Sequence, residues 1–540
     1  MQQEASPLPS DCSADASVEP PTHVPAAEPP KMRHRGLVAA AANRCVAWVR
    51  DYGLDGILVA VSVVLVGTLA FTVSGRITFP YCLEWIEGAM VDHVARVLDG
   101  SGLYVEPSIS FVPLIYSPLF YWVSAAAATV VGLGYLPLRL VSVAAVVATL
   151  VCIVLFVRKE GGRWPAAMAA AALYAGTFRL SGAFFDIGRV DSLSVCLFLW
   201  ATFFVRFGKG AKSSVAAALL FALCYLTKQS LLAMAGPMAL YLLWSDWKRA
   251  LWFVAVAAGA VVGADLTINT LTDGWYWYYT HSVPQGHLVV WRAAAKYIRT
   301  ELLAPFALAY AVALWLFVSR QPLGKPNGRV FYALLLAGLL VVVLVSRLHS
   351  LSYYNVVMPL HAGIAVIVGV GLRAAQASTR QPGFQLHTER AITAVAIAQL
   401  ATLLWDPEPD IPSEHDRVEG DAWVAKVAAI PGPVWVTHRG QMGELAGKGR
   451  RATMMAMVDI IRSRANYNNA KERLREDVAV ALQEQRFERI IIDYRDFWFL
   501  RTLKTYYRPD GQRWFSDEDA MMPRVGFRIR PEYGYKPKKW

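Results

Sequence analysis

Two glutamates three residues apart open the most chemically suggestive stretch of the chain, YCLEWIEGAMVDHVARVLDGSGLY at residues 81–104. Glu84 and Glu87 are surface neighbours if this segment is helical. Val91, Val94, Val97 and Leu98 then give the helix an apolar side, suited to lying on a membrane. A carboxylate held there, partly shielded from water, has the character of a general base; a pair of solvated loop acids is the plainer alternative.

A second cluster, FFDIGRVDSLS, gathers Asp186, Arg189 and Asp191 at the mouth of two apolar runs. Ionisable groups in such places are expensive and are either functional or paired with one another. Lys228 in LTKQS, and Arg347 with His349 in SRLHSLSYYN, are basic residues at the ends of further apolar runs. A pyrophosphate or an anionic headgroup would hold them there, Arg as a forked donor and Lys as a point charge. Snorkelling toward ordinary phospholipid is the alternative. The segment DGWYWYYTHSVPQGHLVVWR combines aromatic rings with His281, His287 and Arg292. Its rings suit sugar faces, and equally an interfacial belt. Two histidines six apart match no standard metal motif, so neither a metal nor a cofactor is expected.

The elements that must position these residues are apolar. The chain has 540 residues, 55% hydrophobic and 17% charged, against about 25% charged in a soluble protein. Apolar runs recur near the ~20 residues that cross a bilayer core, as at Ile57–Val73 and Leu138–Val157. Hydropathy and length place spans at 55–75, 138–157, 164–182, 191–206, 213–227, 230–244, 249–268, 301–319, 330–346, 355–372 and 390–405, about eleven in all. The net charge of +12 does not indicate nucleic acid. Its basic residues sit mostly in short loops between the runs, where they set orientation. Arg158, Lys159 and Arg163, then Arg206, Lys209 and Lys212, then Lys248 and Arg249, then Arg320, Lys325 and Arg329, and last Arg373, Arg380 and Arg390 all fall on one side. That side also holds Lys31, Arg33, Arg35, Arg44 and Arg50 before the first span, so the N-terminus is expected in the cytoplasm. Residues 1–50 are expected as a disordered arm, rich in Pro, Ala, Ser and Glu at its start. Cysteines fall mostly in the arm and the spans, so no disulfide framework is expected.

Pro118–Gly134 is apolar but, at roughly 17 residues, short for a crossing. With Tyr116, Tyr121 and Trp122 at its start it reads as a helix along the outer interface, which leaves 76–137 as one long external loop. A second external segment covers 269–300. After Trp405 a polar, proline-rich linker leads to strand candidates PVWVTH and RIIIDY with a helix near Ala470–Gln485 between them. Residues 406–540 are thus expected as a small soluble α/β domain, extracytoplasmic because the number of spans before it is odd. The fold class expected is an all-α polytopic membrane bundle, residues 51–405, carrying that domain.

Several short motifs occur in a familiar order along 55–372: an acidic residue opening the first external loop, DGSGLY, YSPLFYW, LPLRLVS, DIGRVDSLS, LTKQS, and YYN before a late span. In this order the sequence resembles the GT-C glycosyltransferases, in particular the broad family of lipid A aminoarabinose transferases and protein O-mannosyltransferases. The resemblance implies transfer of a sugar from a polyprenyl-phosphate donor to a cell-envelope acceptor, on the outer face of the cell membrane and with inversion. It carries the family's catalytic acid onto Glu87, although Glu-Gly here departs from the usual Asp-Glu and keeps Glu84 in competition. It implies phosphate binding by Lys228, Arg189 and Arg347. Asp186, Asp191, Tyr116, His281, Arg292 and Tyr354 are candidates for contacting substrate. A flippase of lipid-linked sugars, an O-antigen-ligase-like glycan transferase and a non-catalytic scaffold are the rival readings. A flippase would place paired charges deep in the spans, and here Asp265 alone partly fits that description.

Overall fold

The computed structural model describes residues 33–319, 321–350, 352–378 and 384–538. Residues 1–32, with Arg320 and Arg380, lie outside the described residues. The chain divides at Gly53, and the residues after it form one compact unit, Leu54–Trp540. Contrary to the expected disordered arm over 1–50, residues from Arg33 onward are helical and belong to α1 (Arg33–Arg76). The Pro-rich composition stops at Pro30, and the following GLVAAAANRCVAWV is rich in alanine, the best helix former.

Among the described residues, six helices are long and apolar enough to cross a membrane: Gly53–Arg76, Tyr135–Lys159, Trp247–Leu271, Trp291–Val318, Gly328–Leu348 and Tyr354–Ala377. The other expected spans are helical but mostly shorter. They include α5 (Trp164–Gly176), α6 (Asp191–Phe207) and α7 (Gly210–Tyr225), of 13, 17 and 16 residues. Tyr354–Ala377 is 94% buried and runs through the middle of the bundle. The peripheral helices turn large apolar side chains outward, among them Val63, Phe71, Leu251, Trp252, Leu266, Leu314 and Val341. Water would make such a surface costly; a lipid environment does not.

The first long loop is an ordered part of the core. α2 (Glu87–Asp99) packs on α3 (Leu119–Val131), which packs on α4 (Tyr135–Lys159). The apolar side of α2 was expected on a membrane, yet Val91 and Val94 are fully buried in a cluster with Trp435, Met457 and Tyr276. The C-terminal part of the chain supplies apolar surface there, so burial occurs within the protein.

That C-terminal part holds a four-stranded sheet of order β1–β2–β4–β3. β1 (Val434–Val436) pairs in parallel with β2 (Arg489–Ile492), and helix Ala470–Gln483 lies in the connection between them. β3 (Tyr507–Pro509) and β4 (Tyr533–Pro537), neither expected from sequence, complete it in antiparallel fashion. The sheet region and the helices together make one compact unit, Leu54–Trp540. Two isolated bridges stitch it around the loops that matter most. Glu84 pairs with Val525, whose N–H donates to Leu83 O at 3.0 Å, and Val289 pairs with His349.

Candidate active site

Where the loops meet the ends of the helices, a cavity of 540 Å³ opens. Glu84, Tyr116, Arg189, Lys228, His281 and Asn355 line it, with Asp459 and Phe527 arriving from the C-terminal part. Each polar group is held by a different element. Glu84 is fixed by its bridge to Val525 and by Ile86 N, which donates to Oε2 at 3.0 Å. Arg189 stands in the loop before α6, donating through Nη1 to Glu84 Oε2 at 2.8 Å and through Nη2 to the Tyr116 hydroxyl at 2.7 Å. Its Nε is buried with no hydrogen-bond partner among the described residues. Lys228 Nζ donates to Asp191 Oδ1 at 2.6 Å, and Asn355 Nδ2 donates to the same oxygen at 2.8 Å. Asp191 is thus the post on which a cavity cation and a cavity amide are hung.

Glu84 and Glu87, undecided on sequence, are separated by their surroundings. Glu87 is absent from the cavity wall. Both its oxygens are taken by Arg139, with Nε to Oε1 and Nη2 to Oε2 at 2.8 Å. Gly188 N at 2.8 Å and Leu83 N at 2.9 Å donate to them as well. Four donors fill about the four lone-pair sites of a carboxylate. Gly188 must be a glycine, since a Cβ there would meet Leu138 at 2.9 Å and Glu87 Cγ at 3.2 Å. Burial alone would raise the Glu87 carboxyl, but Arg139 and the two amides hold it below its ordinary value. For Glu84 burial prevails over Arg189, and the carboxyl is pushed up. One carboxylate is a locked anion; the other is a more basic group facing a cavity. Glu87, the acid to which the resemblance points, is thus enclosed by its own donors, whereas Glu84, the competing candidate, lies on the cavity wall.

Other expected positions divide in the same way. Asp186 is buried and bound by Arg76, whose Nε donates to Oδ2 at 2.6 Å, so it braces helix ends instead of lining the cavity. Arg347, expected on the donor phosphate, is occupied by Glu301 at 2.7 Å and 3.0 Å and by the Ser352 hydroxyl at 2.9 Å. It lies over the rings of Tyr297 and Tyr354 and is not part of the cavity wall. Tyr354 is 39% exposed as a partner in that stack, and Arg292 is exposed away from the cavity. The reason is common to all four: an ion pair or open solvent already satisfies them.

His281 does line the cavity. Its Nε2 shares a hydrogen bond with the Tyr225 hydroxyl at 2.7 Å, and Tyr225 donates on to Asp265 Oδ2 at 2.6 Å. Asp265, a charge within the apolar helix Trp247–Leu271, thus has a local partner; Tyr276 also donates to it at 2.9 Å. Asp459 was missed on sequence, although a lone acid inside the apolar helix Met454–Arg462 (MMAMVDIIR) is itself a signal. Gln229 and Asn355 were missed because single amides carry none. Among the described residues no three His, Cys, Asp or Glu side chains cluster as metal ligands.

This combination of helical bundle, ordered first loop and charged cavity fits a GT-C glycosyltransferase fold. A family model described as dolichyl-phosphate-mannose-protein mannosyltransferase matches residues 113–268, a stretch holding Tyr116, Arg189, Asp191 and Lys228 but ending before the C-terminal part. The structure is similar to ArnT from Cupriavidus metallidurans bound to undecaprenyl phosphate, with a TM-score of 0.53 over 86% of this chain and 97% of that one at 12% identity. The apo state of the same protein gives 0.54 over 85% and 97%, again at 12% identity. No curated protein matches the chain by sequence.

Proposed function

We propose that this protein transfers a sugar from a polyprenyl-phosphate donor to an acceptor of the cell envelope (lipid, glycan or protein), in the cavity between Glu84 and Lys228. The observation that carries this reading is the convergence of a basic carboxylate and a lysine on one cavity at the ends of apolar helices. A donor with a polyprenyl tail would lie along those helices and present its phosphate to the charged end. The C-terminal part then closes the cavity on the extracytoplasmic side, with the N-terminus in the cytoplasm.

Chemistry follows by single displacement with inversion. Glu84 takes the proton from the acceptor hydroxyl as that oxygen attacks the anomeric carbon. The bond from the anomeric carbon to the phosphate oxygen breaks, and polyprenyl phosphate leaves with the electron pair. Lys228 meets the charge gathering on that phosphate, in a site partly shielded from water where such a contact is worth most. Arg189 keeps Glu84 aimed and adds positive potential. Phosphate leaves well without a proton, so no general acid is assigned. These protein cations carry the charge in this reading, so no cofactor is invoked and transfer is expected to continue in the presence of a chelator. Likeness to ArnT, which in one structure holds undecaprenyl phosphate, supports the lipid class of the donor.

The test is incubation of purified protein with a labelled polyprenyl-phosphate sugar and envelope acceptors. Label is expected on the acceptor, with free polyprenyl phosphate released. Label that stays on the lipid but changes bilayer leaflet would instead make the protein a flippase. Cavity orientation is checked separately by substituting the exposed Ser101→Cys beside the first loop. An impermeant thiol reagent applied to intact cells is expected to reach it.

A further inference from the structure

Asp459 is a buried acid with one carboxyl oxygen left unpaired among the described residues. It is 2% exposed, and its Oδ1 has no hydrogen-bond partner among the described residues. His287 Nε2 lies 3.9 Å from that oxygen and instead gives its hydrogen bond to the Asp459 backbone carbonyl at 3.0 Å. Burial, against Arg189 and Arg462, pushes the carboxyl up to about 7. An unpaired buried carboxyl costs stability, on the order of 1–3 kcal/mol or more. Such a group calls for an explanation, of which a functional role or a group bound beside it is one.

Its position is also tightly specified. The external segment that carries His287 is clamped to the end of helix Met454–Arg462. Arg464 N donates to Gly286 O at 3.0 Å, and a Cβ on Gly286 would meet Ser463 Oγ at 2.1 Å and Arg464 N at 2.7 Å. Only glycine permits that approach. The same segment is tied to the wall opposite, where Val290 N donates to Leu348 O and Ser350 N to Leu288 O, both at 2.8 Å. Three remote stretches of chain are thus drawn together, and Asp459 and His287 sit side by side on the cavity wall. A helix that merely capped the bundle would have no need of an acid at this place.

We infer that Asp459 is a sugar-recognising residue, accepting a hydrogen bond from a ring hydroxyl of the donor sugar or of a glycan acceptor bound in the cavity. The C-terminal part of the chain is then a specificity wall of the active site. This rests on the glycosyl-transfer reading above. It adds which part of the substrate meets the C-terminal region and through which atom.

The experiment uses the full-length protein in lipid nanodiscs, with Asp459→Asn and Asp459→Ala. Binding of undecaprenyl phosphate and of undecaprenyl-phosphate glucose is measured beside transfer kinetics. If the hydroxyl belongs to the donor, Asp459→Ala weakens binding of the glucose-bearing lipid at least tenfold and leaves plain undecaprenyl phosphate unchanged. If it belongs to the acceptor, both lipids bind as before and the acceptor KM rises at least tenfold at similar kcat. Either result supports the inference. Thermal stability is expected to be unchanged or higher in Asp459→Asn, because an unsatisfied buried carboxyl is removed. A marked fall in stability with unaltered binding and KM would make Asp459 structural and overturn the inference alone. Wild-type protein that binds neither lipid would overturn the glycosyl-transfer reading and this inference with it.

Discussion

The first loop and the segment before α6 build two charged clusters a few residues apart, and the clusters behave in opposite ways. In one, Glu87 with Arg139 and Asp186 with Arg76 are fully buried pairs with their oxygens taken. In the other, Glu84 with Arg189 and Asp191 with Lys228 are pairs whose partners also line a cavity, and Arg189 Nε and Asp191 Oδ2 remain unpartnered among the described residues. The residue types are nearly the same, a lysine standing in the second cluster where the first has a second arginine. What separates bracing from chemistry is whether the pair exhausts its own hydrogen-bonding capacity: a saturated pair can only hold, whereas an unsaturated one can also bind.

The sharpest way to break this contrast is to swap Glu84 and Glu87 for glutamine in turn. Glu84→Gln is expected to lower transfer by about 10²–10⁴-fold, the usual worth of a general base, with thermal unfolding little altered. Equal loss of fold in both variants would erase the distinction. Next in size is Arg139→Ala, which strands Glu87 as a buried charge and is expected to destabilise by about 3–5 kcal/mol in detergent unfolding. Lys228→Met removes a charge-assisted contact to phosphate worth about 1.5–3 kcal/mol, so donor affinity is expected to fall about 10–100-fold, with some loss of stability because Asp191 keeps only Asn355 on its bonded oxygen. Arg292→Ala, at an exposed site, is expected to change stability by no more than about 0.5 kcal/mol and transfer hardly at all.

Acidification separates the clusters too. Glu84 has a raised carboxyl pKa in the folded protein, so it loses its charge, and transfer its base, as pH falls to a value above the ordinary 4.5. Glu87 is depressed. Its contribution to stability is present above the unfolded-state value and is lost only as pH falls through the lower folded-state value. A pH series is therefore expected to show transfer failing at higher pH than the Glu87 contribution to the fold. Coincident loss of the two would contradict the assignment.

Much of this was legible in the chain, but unevenly. The long apolar helices, the strands at Val434–Val436 and Arg489–Ile492 and the helix between them follow from periodicity and run length. Glu84, Arg189, Asp191 and Lys228 stood out because charge at the edge of an apolar run is costly anywhere. The same logic pointed equally at Arg347 and Asp186, since cost says a charge needs a partner and not which partner it has. Glu301 and Arg76, 46 and 110 residues away, answer that question. The apolar side of α2 was read as membrane-facing because the surface that covers it comes from hundreds of residues later in the chain.

Composition and hydropathy were sufficient to establish helices of membrane-crossing length and the segments in which chemistry could reside, because both are local properties of side chains. Separating Glu84 from Glu87, placing Lys228 on the cavity wall and Arg347 off it, and bringing Asp459 into the cavity required the folded molecule. Those outcomes depend on which distant donors fill each carboxylate and which loops close over it, and pairing across such separations leaves no mark in a linear pattern.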